Sequence, residues 1–396
     1  MIFYSVNSSA RNLARKFGLL VDERLLGYHL GPNHPMNSNR IFPALHLLRE
    51  KFQNSDDFEI VLPGKFDRHT LLKAHDLEYV QTLEELSHIG EGEAPEFGLG
   101  SSDCPIFKGV SEASEFIVGS TTSLAQSMYD KDFSFAFVLM AGLHHARSNK
   151  ASGFCYYNDI NVAIQALKSK DPGVRILYID TDLHHGDGTQ FDFYNDPNVL
   201  TISLHESGEY LFPGTGFSDE LGVNGGEGFS INHPLMPFTW DEPYLGRFLD
   251  IVPPIFEDYN PDFVIWQAGV DGHKDDPLGH LQLSSGLYHT IGSTVRQLAE
   301  RTMEKPRVLA LGGGGYNPDS VARSWYNAVA GLSGVKRDKV ASQEWIQLCA
   351  NKGIPVSEKL VDPPTKADEE YLYDVLAGNE RYEFDFRFNV GRFFSV

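Results

Sequence analysis

Residues 180–188 read Asp-Thr-Asp-Leu-His-His-Gly-Asp-Gly, directly after the apolar run Val174–Ile179. Three carboxylates and two imidazoles fall within eight positions, 180–187. A core has no use for so many ionisable groups, because each must be desolvated and then satisfied. Asp182 and His184 stand two apart, so in extended backbone both side chains leave the same face and reach one ion. Asp271, in Gly-Val-Asp-Gly-His-Lys-Asp-Asp-Pro-Leu-Gly, is the candidate third ligand. Two carboxylates and one imidazole leave positions for water and substrate. That suits a catalytic zinc or ferrous ion rather than a closed structural site. An Asp-x-His pair alone reads as a polar loop; its surroundings favour the metal.

His144-His145 follow Ala141-Gly142-Leu143. Asp180 and Asp187 flank the ligand pair and are natural acceptors for imidazole Nδ1–H, fixing the tautomer and raising basicity. One imidazole then deprotonates a water and the other protonates a leaving amine. Gly312–Gly315 lack the Gly-x-Gly-x-x-Gly spacing and the Lys-Ser/Thr of a phosphate loop. They suit a backbone lying close to the pocket, with Tyr316 turned inward to donate to an oxyanion. Gly153-Phe154 and Phe212-Pro213-Gly214-Thr215-Gly216 supply aromatic walls for a narrow apolar slot. Asp103 on its own reads as a solvated loop acid.

These clusters need a scaffold that brings them together. The runs Met1–Val6, Phe135–Met140, Val174–Asp180, Val199–Leu204, Phe263–Ala268 and Val308–Leu311 are apolar on both faces, as covered parallel strands are. Helical patterns fall between them, most clearly Ser111–Tyr129, Asn158–Lys168, Tyr244–Tyr259, Ser284–Met303 and Asp319–Leu332. The alternation predicts an α/β fold, a single doubly wound domain. In such sheets ligands bind beyond the carboxyl ends of the strands. His144-His145, Asp182 with His184, Asp271 and Gly312–Tyr316 each follow one of the predicted strands.

Hydrophobic residues make up 41% of the 396, enough for a sizeable core. The net charge of −21 repels phosphate backbones, which argues against nucleic acid and favours a cationic partner. The odd cysteines, Cys104, Cys155 and Cys349, are far apart, which fits a reducing compartment and excludes a cysteine zinc knuckle. No signal-peptide pattern opens the chain, and the longest apolar run, Phe135–Leu143, is too short to span a bilayer. A cytoplasmic protein without membrane contact is expected. Beyond residue 336, Pro363-Pro364 and the aromatic, charged run Tyr382–Phe394 read as a segment wrapping the core.

The constellation resembles the histone-deacetylase superfamily, with its arginase-like fold. The matching pieces, in the family's order, are His34-Pro35-Met36 with Arg40, Asp103-Cys104-Pro105, Gly142-x-His144-His145, Ser152–Tyr156, Asp180–Gly188, Phe212–Gly216, Asp271 and Gly313–Tyr316. Asp-Asp-Pro-Leu-Gly and Glu-Tyr-Leu-Phe-Pro-Gly-Thr-Gly are similar to the prokaryotic acetoin-utilisation branch within it. The resemblance implies a central, mostly parallel eight-stranded sheet flanked by helices. It implies a catalytic domain over residues 1–335 and an extension, 336–396, packed on the same domain. It implies Asp182, His184 and Asp271 as zinc ligands, with ferrous iron an alternative. His145, with Asp187, matches the general base, and His144, with Asp180, the partner near the leaving group. Tyr316 matches the oxyanion donor. Gly153, Phe154, Phe212 and Leu278 match the substrate tunnel and Asp103 the acid at its rim. Asp180, Asp182, His184 and Ser203 match a site for a monovalent cation, usually potassium, and Arg40 an acetate channel.

The implied reaction is hydrolysis of ε-N-acetyl-lysine on proteins such as acetyl-CoA synthetase or histone-like proteins. Relatives that cleave acetylpolyamines carry glutamate where this chain has Leu278, so that reading is the weaker one. A non-catalytic acyl-lysine binding protein would have lost a ligand or Tyr316, and none is lost. A dimanganese arginase-type centre needs more bridging aspartates.

Overall fold

The computed structural model describes residues 16–130 and 133–396. Eight strands are described: β1 Phe17–Leu20, β2 Phe58–Ile60, β3 Phe135–Val138, β4 Ile176–Asp180, β5 Val199–Glu206, β6 Ser230–Leu235, β7 Phe263–Gln267 and β8 Val308–Leu311. They form one sheet in the order β2-β1-β3-β8-β7-β4-β5-β6. Every described pairing is parallel, so the sheet expected to be mostly parallel is wholly so. Parallel sheets are covered on both faces, and the central strands accordingly bury every residue.

Five of the predicted strands match observed ones. Met1–Val6 lies outside the described residues. The sequence reading did not anticipate β1, β2 or β6. The predicted helices are found, with ends shifted by three residues at most, as Val110–Tyr129, Asp159–Lys170, Asp241–Tyr259, Ser285–Thr302 and Pro318–Ser333. Four of these helices, all but Pro318–Ser333, carry long crossovers between parallel strands. Ser285–Thr302 packs on Pro318–Ser333, and Val110–Tyr129 on Asp159–Lys170.

Residues 336–396 add two helices, Gln343–Asn351 and Leu372–Val390. The first packs on helix Phe42–Phe52, with Trp345 buried and its indole N–H donating to Pro43 O at 2.9 Å. The second lies along β6, the edge strand of the sheet. Its buried residues Val375, Asn379, Tyr382, Phe386 and Val390 recur every three or four positions, which is one helical face.

Candidate active site

β4 and β7 are neighbours in the sheet, with Asp180 opposite Gln267. The chain beyond each strand end brings Asp182, His184 and Asp271 together, although Asp271 is 87 positions from His184 in sequence. One ligand atom from each lies within 4.8 Å of the others, and all three residues are buried. His184 Nδ1 is 3.3 Å from Asp182 Oδ1 and 3.2 Å from Asp271 Oδ2. The remaining carboxylate oxygens are held by the protein. Asp182 Oδ2 accepts from Gln267 Nε2 and Gly314 N–H, both at 2.8 Å, and Asp271 Oδ1 accepts from Leu183 N–H at 2.9 Å. Burial, with the charge of Asp182, pushes the Asp271 carboxyl up to about 6. Burial alone would lower His184, yet its two carboxylates raise it to about 10. Two buried carboxylates and an imidazole nitrogen, fixed so that one atom of each faces a common point, fit a divalent cation.

The tandem histidines leave the end of β3. The buried carboxylate of Asp159 accepts from Leu143 N–H at 2.8 Å and Gly142 N–H at 3.1 Å, which holds that turn. His144 Nδ1 lies 2.9 Å from Asp180 Oδ2, and His145 Nδ1 lies 2.8 Å from Asp187 Oδ1. The two Nε2 atoms are 3.0 Å apart. Burial, helped by the charge of His144, lowers His145 to about 4. Burial also opposes charge on His144, but Asp180 and Asp182 outweigh it and raise His144 to about 9. Of the two arrangements that satisfy the network, those shifts favour His144 doubly protonated and His145 carrying its proton on Nδ1 with a lone pair at Nε2.

The glycine run after β8 closes the pocket. A Cβ on Gly314 would stand 2.0 Å from Asp271 Oδ2 and 2.7 Å from Asp182 Oδ2, so only glycine fits there. Arg40 is buried beneath the run, donating from Nε to Gly315 O and from Nη2 to Gly313 O. Its guanidinium also lies 5.4 Å from the centre of the Tyr316 ring. Tyr316 N–H donates to Asp276 Oδ2 at 2.7 Å, and Leu278 N–H donates to Asp276 Oδ1 at 3.0 Å. One buried carboxylate thus ties the tyrosine to the loop carrying Leu278.

Phe212 stands by the histidines and Phe154 by Tyr316. The Phe212 ring is 5.0 Å from His145 and 6.2 Å from His184, and it is 44% exposed, which places it at the mouth. The Phe154 ring is 5.7 Å from Tyr316. Gly153 has φ +54, and a Cβ there would meet His145 Cδ2 at 2.3 Å. Asp103 is not a free loop acid: its Oδ2 accepts from Gly153 N–H at 2.8 Å, and the residue is partly buried. Ser203 pairs in register with Asp180, and its hydroxyl lies 2.8 Å from His205 Nδ1.

Four contributors escaped the sequence reading: Gln267, Asp159, Asp276 and Glu220. Glu220 accepts from Gln190 and from Gly216 N–H, each at 2.8 Å, and so supports the Phe212 loop. Gln267 alone carried a local signal, a polar residue closing the apolar strand Phe-Val-Ile-Trp-Gln. Each of the others also holds a partner remote in sequence: Leu143 for Asp159, Tyr316 for Asp276 and Gln190 for Glu220.

The comparisons converge on one class of protein. A model of the histone deacetylase domain matches residues 34–332, and the chain belongs to the histone deacetylase family. It is 38% identical over 323 residues to the acetoin utilization protein AcuC of Bacillus subtilis (strain 168), which spans 81% of this chain and 82% of that protein. Identity to AcuC of Staphylococcus xylosus is 35% over 326 residues, 82% and 84% of the two chains. A solved HDAC homologue complexed with SAHA superposes with a TM-score of 0.80 at 28% identity, covering 92% of this chain and all 100% of that one. The HD domain of HDA15 gives a TM-score of 0.72 at 28% identity, covering 81% and 91%.

Proposed function

We propose that this chain hydrolyses the ε-N-acetyl-lysine amide of protein substrates, releasing lysine and acetate. The observation that carries the reading is the position of the buried Asp182–His184–Asp271 trio beside the paired imidazoles, with the His145 ring 5.9 Å from that of His184. Zinc is the proposed ion and ferrous iron the alternative; once bound, it would polarise the amide carbonyl and acidify a water. A potassium ion is proposed beside it on Asp180, Asp182, His184 and Ser203, supported by the register of β4 with β5.

The chain's own groups supply the rest. Neutral His145, once its Nε2 lone pair turns from the His144 N–H to the attacking water, takes a proton there, while Asp187 keeps the ring's other nitrogen protonated. The Tyr316 hydroxyl donates to the oxyanion as the C–O bond forms. Burial, and next the charge of Asp271, holds that phenol well above its ordinary value, so it stays a donor. The C–N bond then breaks, and the imidazole pair returns a proton to the departing amine. Phe154, Phe212 and Leu278 wall the alkyl stem, Asp103 stands at the rim, and Arg40 lines the proposed path for acetate.

The neutral Leu278 favours an acyl-lysine stem over a charged polyamine, the net charge of −21 favours a cationic partner, and acetyl-CoA synthetase or a histone-like protein is proposed as the substrate on the family resemblance. All three cysteines are free and buried, and no helix among the described residues is long and apolar enough to cross a membrane. The free cysteines support the proposed cytoplasmic location. The test is turnover of a fluorogenic acetyl-lysine peptide by metal-stripped protein, by the same protein with zinc restored, and in the presence of a hydroxamate. Zinc-restored, hydroxamate-blocked turnover is expected. Turnover of acetylspermidine in preference to the peptide would reassign the substrate, and tight zinc binding without turnover of either would reassign the chain as a binding protein.

A further inference from the structure

Helix Leu372–Val390 lies wholly beyond the matched family domain, yet it is bonded to the segment that carries Phe212 at both of that segment's ends. Before Phe212, Tyr382 OH donates to Ser207 Oγ at 2.8 Å, in a buried contact. Arg381 Nη2 reaches both carboxylate oxygens of Glu209, at 3.0 and 2.9 Å. After Phe212, Asn389 Nδ2 donates to Ser218 Oγ at 3.1 Å. The helix is itself fixed to the end of β6, where Asn379 Oδ1 accepts from Met236 N–H and its Nδ2 donates to Thr239 Oγ1, both at 2.9 Å.

The inner side of the same segment is held by the core. His185 Nδ1 meets Thr215 Oγ1 at 2.8 Å, and His205 Nε2 meets Gly216 O at 3.0 Å. Ser207 also starts the turn that presents Phe212, its carbonyl accepting from Tyr210 and Leu211 N–H. The segment 207–218 is therefore clamped between core and terminal helix, with Phe212 projecting from it at the mouth. A loop held from one side only samples more positions than one held from both.

We infer that the terminal helix is a positioning element for the substrate, and that Tyr382 and Arg381 are the positioning residues that set where the Phe212 wall stands. They act through Ser207 and Glu209 and touch no reacting atom. This rests on the acyl-lysine reading of the site. Weakening the clamp loosens a binding wall and leaves the reacting groups in place, so it raises KM rather than lowering kcat.

The experiment uses the full chain with Tyr382→Phe and Arg381→Glu, singly and together, and Phe388→Ser as a control. Phe388 is on the same helix but 72% exposed. Hydrogen exchange is followed in 207–218 alongside steady-state turnover of the acetyl-lysine peptide. Exchange is expected to rise in 207–218 with β4 and β7 still protected, and KM to rise about fivefold per lost contact, with kcat within about twofold. The exchange of charges, Arg381→Glu with Glu209→Arg, should restore both, and Phe388→Ser should change neither. Unchanged protection of 207–218, or a fall in kcat alone, overturns the inference. A wild-type chain without turnover overturns the acyl-lysine reading instead, and the exchange data then decide the clamp by themselves.

Discussion

The Nε2 atoms of His144 and His145 face each other at 3.0 Å, while their Nδ1 atoms are claimed by different carboxylates, Asp180 at 2.9 Å and Asp187 at 2.8 Å. Two chemically identical side chains, adjacent in sequence, are thereby shifted in opposite directions. Asp180 and Asp182 raise one ring, and burial beside that charged neighbour lowers the other. An acid and a base thus sit within hydrogen-bond reach of each other.

Asp187→Asn presents an amide to His145 Nδ1 and allows the opposite tautomer, with the proton on Nε2. Turnover of the acetyl-lysine peptide should fall about 10²- to 10⁴-fold, with metal content unchanged. Wild-type kcat in this variant would remove His145 from the role of base.

Tyr316→Phe deletes the hydroxyl and keeps the ring under Arg40 and beside Phe154. A loss of about 10²- to 10³-fold in kcat is expected, with little change in KM. Measured turnover equal to wild type would show that the oxyanion is stabilised elsewhere.

Gly314→Ala places a methyl 2.0 Å from Asp271 Oδ2, which neither carboxylate can evade without losing Gln267 or Leu183 N–H as a partner. Zinc affinity, measured by competition with a chelator, should drop about 10- to 100-fold. Gly27→Ala is the control, since nothing lies within 4 Å of a Cβ there. Equal zinc affinity in the two variants would mean that the trio does not hold the ion.

Asp362 belongs to the tail and binds both the loop that follows Asp271 and helix Pro318–Ser333, accepting from His273 Nε2 at 2.9 Å and Arg323 Nη1 at 2.6 Å. Burial would raise its carboxyl, but those two donors hold it well below the usual carboxylate range. A depressed folded-state value means the stabilisation is complete above the unfolded value, near ~4, and is lost as pH falls below it. Asp362→Asn should therefore cost about 2 kcal/mol at pH 7. The gap should narrow at pH 3, as read by urea denaturation at the two pH values; a gap that is constant or wider at pH 3 contradicts the assignment.

The site was legible in sequence where its residues follow apolar strands. Asp182, His184, Asp271 and the tandem histidines each stand just beyond a run too apolar to be anything but core. The strand β6, Ser-Ile-Asn-His-Pro-Leu, was not legible, because it buries Ser230, Asn232 and His233 and so shows neither alternation nor a continuous apolar run. β2 has only three residues, too few for any period. Asp276 stood in plain view within Lys-Asp-Asp-Pro-Leu, yet its task exists only once the fold brings Tyr316 N–H to it from 40 positions away. The tail's aromatics signalled packing, but nothing in them named Ser207 or Glu209 as partners.

The trio draws Asp182 and His184 from the end of β4 and Asp271 from the end of β7, strands adjacent in space but well apart along the chain. Translation therefore delivers the proposed ligands in two instalments. A nascent chain that has emerged only through β5 and β6 owns one imidazole and one carboxylate of the three, with no Gly314 to orient them and no Tyr316. On the proposed function, such a chain lacks both the complete metal site and the oxyanion donor. The trio is complete only once β7 and β8 fill the middle of the sheet, between β4 and β3.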